Sequence, residues 1–345
     1  MTPPEELLVL GIETSCDETA AAVVRGGREV RSSIVASQAD LHARFGGVVP
    51  EIAGRAHLQA IVPVITAALL DAGLSEQGRG TDGGRDLDAV AVTVGPGLIG
   101  ALLVGVAAAK AFAYGRDLPL VAVNHLEGHL YASMLEDPGL ELPAVVLIVS
   151  GGHTLLIEMR APGDYSVLGS TLDDAAGEAF DKVARFLDLG YPGGPAIERA
   201  ATSGDATAVA FTRPMLGDSL DFSFSGLKSA TVRYVREHPS VPSVDVAASF
   251  QACVVDVLVE KALRAAIARG ARSICLAGGV AANGPLRSAL GAAAGRKGIA
   301  TFLPSKAMCT DNAAMIAAAG YHRLLSDGPA PTSIGALPNL HFPSS

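Results

Sequence analysis

Leu7-Leu8-Val9-Leu10-Gly11-Ile12-Glu13-Thr14-Ser15-Cys16-Asp17-Glu18-Thr19-Ala20-Ala21-Ala22-Val23-Val24-Arg25 reads as two strands around a polar tip. Leu7 to Glu13 is a short apolar run ending in polar residues. Ala20 to Arg25 returns, and Gly26-Gly27 makes the next turn. A hairpin tip carrying hydroxyls and carboxylates suits phosphate or metal contacts, although a polar turn facing water explains the same residues. The grammar recurs further on. Ala144 to Val149 is apolar, Ser150-Gly151-Gly152-His153-Thr154 is a polar turn, and Leu155 to Met159 and Tyr165 to Leu168 return as strands. Two openings of strand, polar turn and returning strand predict an internal duplication, with slight residue identity between the halves.

Outward from these hairpins, Val30 to Ser37 reads as a third strand and Ile52 to Asp71 as a helix. The strand Leu87 to Val94 runs into Gly95-Pro96-Gly97-Leu98-Ile99-Gly100 and an apolar helix to about Tyr114. Gly-x-Gly-x-x-Gly after a strand is a dinucleotide pattern, but Pro96 lacks an N–H and no acidic residue closes a following strand. Close packing of helix on sheet explains it as well. Leu120 to Val123 is a short strand. In the second half, Asp173 to Leu187 reads as an amphipathic helix with Asp173 and Asp174 suited to cap it. Phe222 to Lys228 enters a helix bearing Lys228, Arg233 and Arg236, and Val244 to Arg269 is a long helix. Strand Ser273 to Ala277 runs into Gly278-Gly279-Val280-Ala281-Ala282-Asn283, a turn through which backbone can approach a nucleotide. Ala300 to Leu303 is the last strand and Asp311 to Leu325 the last long helix. The pattern predicts an α/β chain of two-lobed, actin-like ATPase architecture: a duplicated mixed-sheet core with a nucleotide cleft between the lobes. Lobes are expected at residues 1–124 and 125–325, with a tail at 326–345 and the final helix free to pack back on the first lobe.

Between the hairpins lies Asn124-His125-Leu126-Glu127-Gly128-His129. Histidines four apart share a helix face with Cβ atoms about 5–6 Å apart, close enough to share a divalent cation. An isolated pair of this kind is more often two ordinary polar residues at a helix start. Asp311, in Cys309-Thr310-Asp311-Asn312, is the best candidate for a third ligand. A zinc protease would carry its general base directly after the first histidine. Leu126 holds that place, and Glu127 points off the metal face.

The chain has 345 residues, 49% hydrophobic and 18% charged, which suits two well-buried domains without disorder. No apolar run in the sequence approaches the ~20 residues of a membrane span, and the acidic, Pro-rich start lacks a secretory pattern. A cytoplasmic protein with no membrane association is expected. Cys16, Cys253, Cys275 and Cys309 share no C-x-x-C spacing and read as reduced, small apolar residues. Cys16, in the polar tip, is a weak alternative as a nucleophile. A net charge of −9 argues against a broad basic surface holding nucleic acid unaided, but leaves room for a local groove or a shared grip with a partner.

Gly11 to Thr19, Gly46-Gly47-Val48-Val49-Pro50-Glu51, His125 to His129, Ser150 to Thr154, Asp173 to Lys182 and Cys309 to Asn312 together resemble the tRNA threonylcarbamoyladenosine transferase family. The branch is the bacterial TsaD one, once described as glycoprotein endopeptidases. The resemblance runs in order from about Leu7 to Leu325. It implies transfer of threonylcarbamoyl from threonylcarbamoyl-AMP to N6 of adenosine 37 in tRNAs reading codons that begin with A. It also implies one divalent metal on His125, His129 and Asp311, Fe2+ first, with Zn2+ or Mg2+ as alternatives. An adenine nucleotide would lie along Ile148, Val149, Ser150, Gly151, Gly152, Asp181, Gly194 and Asn283, with the Glu13 to Glu18 loop facing it. Glu198 joins that set less firmly, because aspartate is expected after Pro-Gly-Gly-Pro. Gly284 and the Gln77 to Arg85 insertion also depart from the family pattern. No residue is singled out as general base; Glu13 and Asp17 are the candidates. Lys182 and Lys228 read equally as anion or RNA contacts and as solvated surface. The implied partners are tRNA, a TsaB-like paralogue and a TsaE-like P-loop ATPase in a heteromeric complex. A small-molecule kinase of the same fold and a metalloendopeptidase are the competing classes.

Overall fold

A computed structural model of the chain describes residues 3–81, 86–137 and 139–343. The Gln77 to Arg85 insertion is described as far as Thr81; the rest of it lies outside the described residues. In the first sheet, β1 (Leu8–Glu13), β2 (Glu18–Arg25) and β3 (Glu29–Ser37) are antiparallel neighbours. β4 (Ala89–Gly95) and β5 (Leu120–Asn124) extend the β1 side in parallel, giving the order β3-β2-β1-β4-β5. β1 and β4 are buried along their whole length, as parallel strands covered on both faces must be, and so read as unbroken apolar runs. The helices here are α1 (Ala39–Ala43), α2 (Pro50–Asp71), α3 (Ile99–Tyr114) and α4 (His125–Glu136).

The second sheet repeats the first strand for strand. β6 (Ala144–Val149), β7 (Thr154–Ala161) and β8 (Asp164–Ser170) form the antiparallel meander, while β9 (Ser273–Ala277) and β10 (Ala300–Phe302) run parallel beyond β6. The order β8-β7-β6-β9-β10 matches β3-β2-β1-β4-β5. The duplication expected from the two hairpins is therefore one of topology, with almost no residue identity to mark it. Around this sheet lie α5 (Ala176–Phe186), α6 (Gly193–Ala201), α7 (Ser225–Glu237), α8 (Ser243–Arg269), α9 (Gly284–Gly295) and α10 (Lys306–Cys309). The last helix, α11 (Ala313–Ser326), packs on β1, β2 and β4 and on α4.

Two compact units result: Met1–Pro138 with Thr310–Pro343, and Gly139–Cys309. The sequence division put α4 with the second lobe and left the final helix free to pack back on the first; in the structure α4 and α11 both lie in the first unit. Glycines let α11 pack closely on α4 and on β4. A Cβ on Gly128 would lie 2.7 Å from Ile316 Cδ1, and one on Gly320 would lie 2.3 Å from the Ala91 Cβ. Each unit has its own core. Leu10, Ile12, Val90 and Val92 anchor the first with Ile61, Ile65 and Leu69 of α2. Val145, Leu147, Phe180, Phe250 and Leu276 anchor the second.

Two expectations need correction. α2 is 22 residues and contains an 18-residue stretch of mean hydropathy 1.4, long and apolar enough by length and composition to cross a membrane, although one face lies in the core. Its polar residues Glu51, Arg55, His57 and Gln59 lie in the first half, with His57 buried. Asp173 and Asp174 do not cap the helix that follows them, since α5 begins at Ala176 with Ala176 N donating to Thr154 Oγ1 at 2.9 Å. Asp173 instead accepts from Phe224 N (2.8 Å) and Ser225 N (3.2 Å) at the start of α7. Asp174 pairs with Lys182 and Lys228.

Candidate metal centre and nucleotide pocket

In the first unit the candidate residues gather at the carboxyl ends of β1, β4 and β5. Asn124 caps α4: its Oδ1 accepts from Leu126 N at 2.9 Å, and its Nδ2 donates to the His341 carbonyl at 2.9 Å. This fixes the first turn of the helix that carries His125. His129 follows one turn later, the ring centroids 4.9 Å apart. Asn312 caps α11 by accepting from Met315 N at 3.0 Å, which sets the preceding residue, Asp311, beside the histidines. Asp311 Oδ1 lies 3.5 Å from His125 Nε2 and 3.3 Å from His129 Nε2. One ligand atom from each of the three falls within 4.8 Å of the others.

This donor set fits a divalent cation. His129 is wholly buried, and among the described residues neither ring nitrogen makes a hydrogen bond of good geometry, Nε2 having only the Asp311 carboxylate at 3.3 Å. A buried nitrogen without a partner costs folding free energy that a bound cation would remove. Behind His125 stands Glu13, wholly buried, its Oε2 3.0 Å from His125 Nδ1 and accepting from Thr93 Oγ1 at 2.6 Å. Its Oε1 accepts from Ser15 N, and Ser15 Oγ lies 3.1 Å from the same His125 nitrogen. A carboxylate on Nδ1 places the proton there and turns the Nε2 lone pair toward Asp311, the usual support of a metal-ligating histidine. Burial works to raise the Glu13 carboxyl, but the His125 charge and hydrogen bond prevail and hold it below its ordinary value. Burial likewise opposes a charge on His125, while Asp311 and Glu13 raise it; the balance stands at about 9. Burial, then the charges of Asp311 and Asp17, push Glu18 up to about 9. So many carboxyl groups in one place make a region that attracts cations.

The polar tip is held from a side the sequence did not announce. His57 of α2 reaches Thr19 Oγ1 at 2.8 Å through Nδ1 and the Cys16 carbonyl at 3.0 Å through Nε2. Its only sign was a lone histidine in an apolar helix. Burial, then the charge of Asp17, pushes the Cys16 thiol far up, so it lacks the thiolate a nucleophile needs. The Gly95 to Gly100 pattern is packing: a Cβ on Gly97 would lie 2.5 Å from the Ser15 carbonyl, to which Leu98 N donates at 2.8 Å.

In the second unit, a pocket of about 390 Å³ is lined by Gly194, Glu198 and Asn283, together with Phe180, Gly279 and Lys306. Nothing would obstruct a Cβ on Gly194 or Gly279, so bare backbone faces open space. Asn283 caps α9 through Leu286 N (3.0 Å) and donates to Gln251 Oε1 (2.9 Å) and Glu198 Oε2 (3.2 Å). Glu198 Oε1 accepts from Gly284 N at 3.1 Å, so the longer acid in place of aspartate is tied to the turn it faces. Asp181 Oδ1 accepts from Gly193 N at 2.7 Å and shapes the start of α6; burial raises its carboxyl. Ile148 and Val149 are wholly buried in β6. They position the Ser150 to Gly152 turn, against which α5 is seated: a Cβ on Gly177 would lie 2.4 Å from the Ser150 carbonyl. Phe180 and Lys306 were missed in the sequence, whereas Gly279 lies in the Gly278 to Asn283 turn already read as a backbone approach to a nucleotide. Phe180 looked like a core residue, and Lys306 precedes the only motif near it.

The family model for tRNA N6-adenosine threonylcarbamoyltransferase, TsaD, matches residues 29–318. The chain belongs to this family. Among TsaD relatives bearing that description, one from Symbiobacterium thermophilum is 57% identical over 320 residues, 92% of each chain. One from Moorella thermoacetica is 55% identical over 340 residues, 97% of each chain. Among solved structures, component A of the Acidaminococcus fermentans (R)-2-hydroxyglutaryl-CoA dehydratase matches with TM-score 0.54 at 15% identity, over 93% of this chain and all (100%) of that one. HypF from T. kodakarensis matches with TM-score 0.63 at 14% identity, over 93% of this chain and 48% of that one. These likenesses are of fold, the actin-like ATPase fold that TsaD proteins share with them.

Proposed function

We propose that the chain transfers threonylcarbamoyl from threonylcarbamoyl-AMP to N6 of adenosine 37 in tRNAs reading codons that begin with A. The reading is carried by the cluster of buried His125 and His129 with the partly buried Asp311, backed by Glu13, in a chain of the TsaD family. The donor is a mixed anhydride, so AMP is a good leaving group. N6 attacks the carbamoyl carbon, the bond to the phosphate oxygen breaks, and the amine loses a proton. Aligning amine and carbonyl is worth several kcal/mol of barrier, and the developing oxyanion needs a positive partner. His125, His129 and Asp311 would hold one Fe2+, which when bound supplies a Lewis acid for a substrate oxygen. Gly194, Gly279, Glu198 and Asn283 would hold the adenosine part of the donor, with Asp181 keeping Gly193 in place. Of the two candidate proton acceptors, Glu13 is occupied by His125, which favours the half-buried Asp17.

The chain would act in the cytoplasm within a heteromeric complex that includes a TsaB-like paralogue and a TsaE-like P-loop ATPase. Exposed apolar side chains on α2 (Leu58, Val62) and α3 (Ile99, Leu103) support a protein partner on those helices. Against peptidase chemistry stands Glu127, buried and paired with Arg323 at 2.6 Å away from the histidine face. The test is mass spectrometry of tRNA nucleosides from cells depleted of the protein and rescued with wild type or His125→Ala. Threonylcarbamoyladenosine should vanish on depletion and return only with wild type. Its persistence after confirmed depletion would sink the assignment, and rescue by the variant would remove the metal from the mechanism.

A further inference from the structure

α5 borders two recesses of the second unit. Phe180 lines the pocket already described, and Lys182 lines an open groove of about 580 Å³ shared with α7. From α7 come Lys228, Ser229, Val232, Arg233 and Arg236. Positions 229, 232, 233 and 236 recur at three and four residues and so share one helix face. Lys182, Lys228, Arg233 and Arg236 set four cations in the lining against one carboxylate, Glu237, in a chain whose net charge is −9. The cations are not equivalent. Lys182 Nζ lies 3.1 Å from Asp174 and 2.7 Å from Glu178, and Lys228 Nζ is 2.5 Å from Asp174. Those carboxylates orient the lysines and offset their charge. Arg233 and Arg236 are exposed, and the Arg236 guanidinium sits 6.0 Å from the ring centre of the partly exposed Phe186.

We propose that this groove binds the phosphate backbone of the tRNA substrate, with Arg233 and Arg236 making the phosphate contacts. The inference rests on the transferase reading. A polyanion gains affinity when cations displace its counterions, and an arginine beside an exposed aromatic ring suits unpaired nucleotides as well as phosphates. An acidic protein would use the charge but not the ring. Location points the same way, because α5, about 10–12 Å across with its side chains, lines both recesses, Phe180 in the pocket that would hold the donor and Lys182 in the groove.

The experiment is filter binding of an unmodified tRNA transcript to the full chain, with whatever partners co-purify, across a salt series. Wild type is compared with R233E/R236E, the neutral R233Q/R236Q, and Arg31→Glu as a surface control in the other unit. The charge reversal should weaken binding at least tenfold, and both double variants should flatten the salt dependence by about two phosphate contacts. Melting temperatures and the control should be unchanged. Affinity and salt slope equal to wild type in a folded double variant would overturn the proposal. So would loss of a co-purifying acidic protein with tRNA binding intact. If wild type forms the modified nucleoside while the variants bind tRNA normally, the groove fails and the transferase reading stands. If wild type forms none, the transferase reading fails first.

Discussion

Glu13 is the residue on which the candidate metal centre turns, and its role comes from burial and not from any motif. Its partner His125 is 112 residues away, so the sequence offered Glu13 as a strand-ending carboxylate and a candidate general base, not as the support of a histidine. His125 and His129 were legible because the helical period alone puts them on one face. Asp311 was legible because it stands between a strand and a helix. Glu13→Gln keeps the shape but weakens the hold on Nδ1. It should lower metal affinity about 10- to 100-fold, read by calorimetric titration, with the melting temperature of the metal-free protein little changed. His125 is held at about 9 before metal enters, so a cation must displace a proton from it. Affinity should therefore rise up to about tenfold per pH unit as pH climbs toward that value and level off above it. Titrations in buffers of different ionisation enthalpy should show the released proton.

Helix α11 shows where local reading ends. Its existence followed from an apolar, alanine-rich pattern, but its seat on β1 and β4 depends on paired absences of side chains. A Cβ on Gly11 would lie 2.2 Å from the Ala313 carbonyl. Gly11→Ala or Gly320→Ala should destabilise the protein by at least about 1–3 kcal/mol in urea unfolding. The same helix carries Arg323, whose contact with the buried Glu127 ties α11 to α4. Arg323→Ala should cost about 2–3 kcal/mol, below the value for a fully buried pair, because Arg323 is 27% exposed. His322, stacked on Tyr131, is held down at about 4 by burial, then by Arg28. A depressed histidine leaves the folded state with fewer protons than the unfolded one between its folded value and about 6.5. Its stabilising share is present above about 6.5 and is lost as pH falls toward 4. His322→Gln should flatten that part of a plot of urea midpoint against pH. The strands and hairpins were legible because alternation and turns are short-range properties. Asp173 was misread as a cap for its own helix because its true partners, Phe224 and Ser225, lie some fifty residues on.

At the scale of the whole molecule, the repeated sheet order explains why two weak hairpin signals were informative together. Each sheet opens with the meander that presents a polar turn, then adds parallel strands whose carboxyl ends bring further residues to it. One unit used that plan for the histidines and carboxylates, the other for open glycine turns. The fragment Gly139–Cys309 has its own core and should fold alone. It is expected to bind adenine nucleotide, followed by fluorescence, and to take up no stoichiometric metal. The first unit is assembled from both ends of the chain, with the entire second unit translated between His129 and Asp311. A ribosome therefore exposes both histidines long before their third partner exists. Domains fold as they emerge, so the later unit in sequence completes first and the metal centre last. A bound cation would thereby report finished synthesis: a chain broken off between Lys306 and Asp311 keeps every residue that lines the pocket of the second unit but an incomplete set of candidate metal ligands.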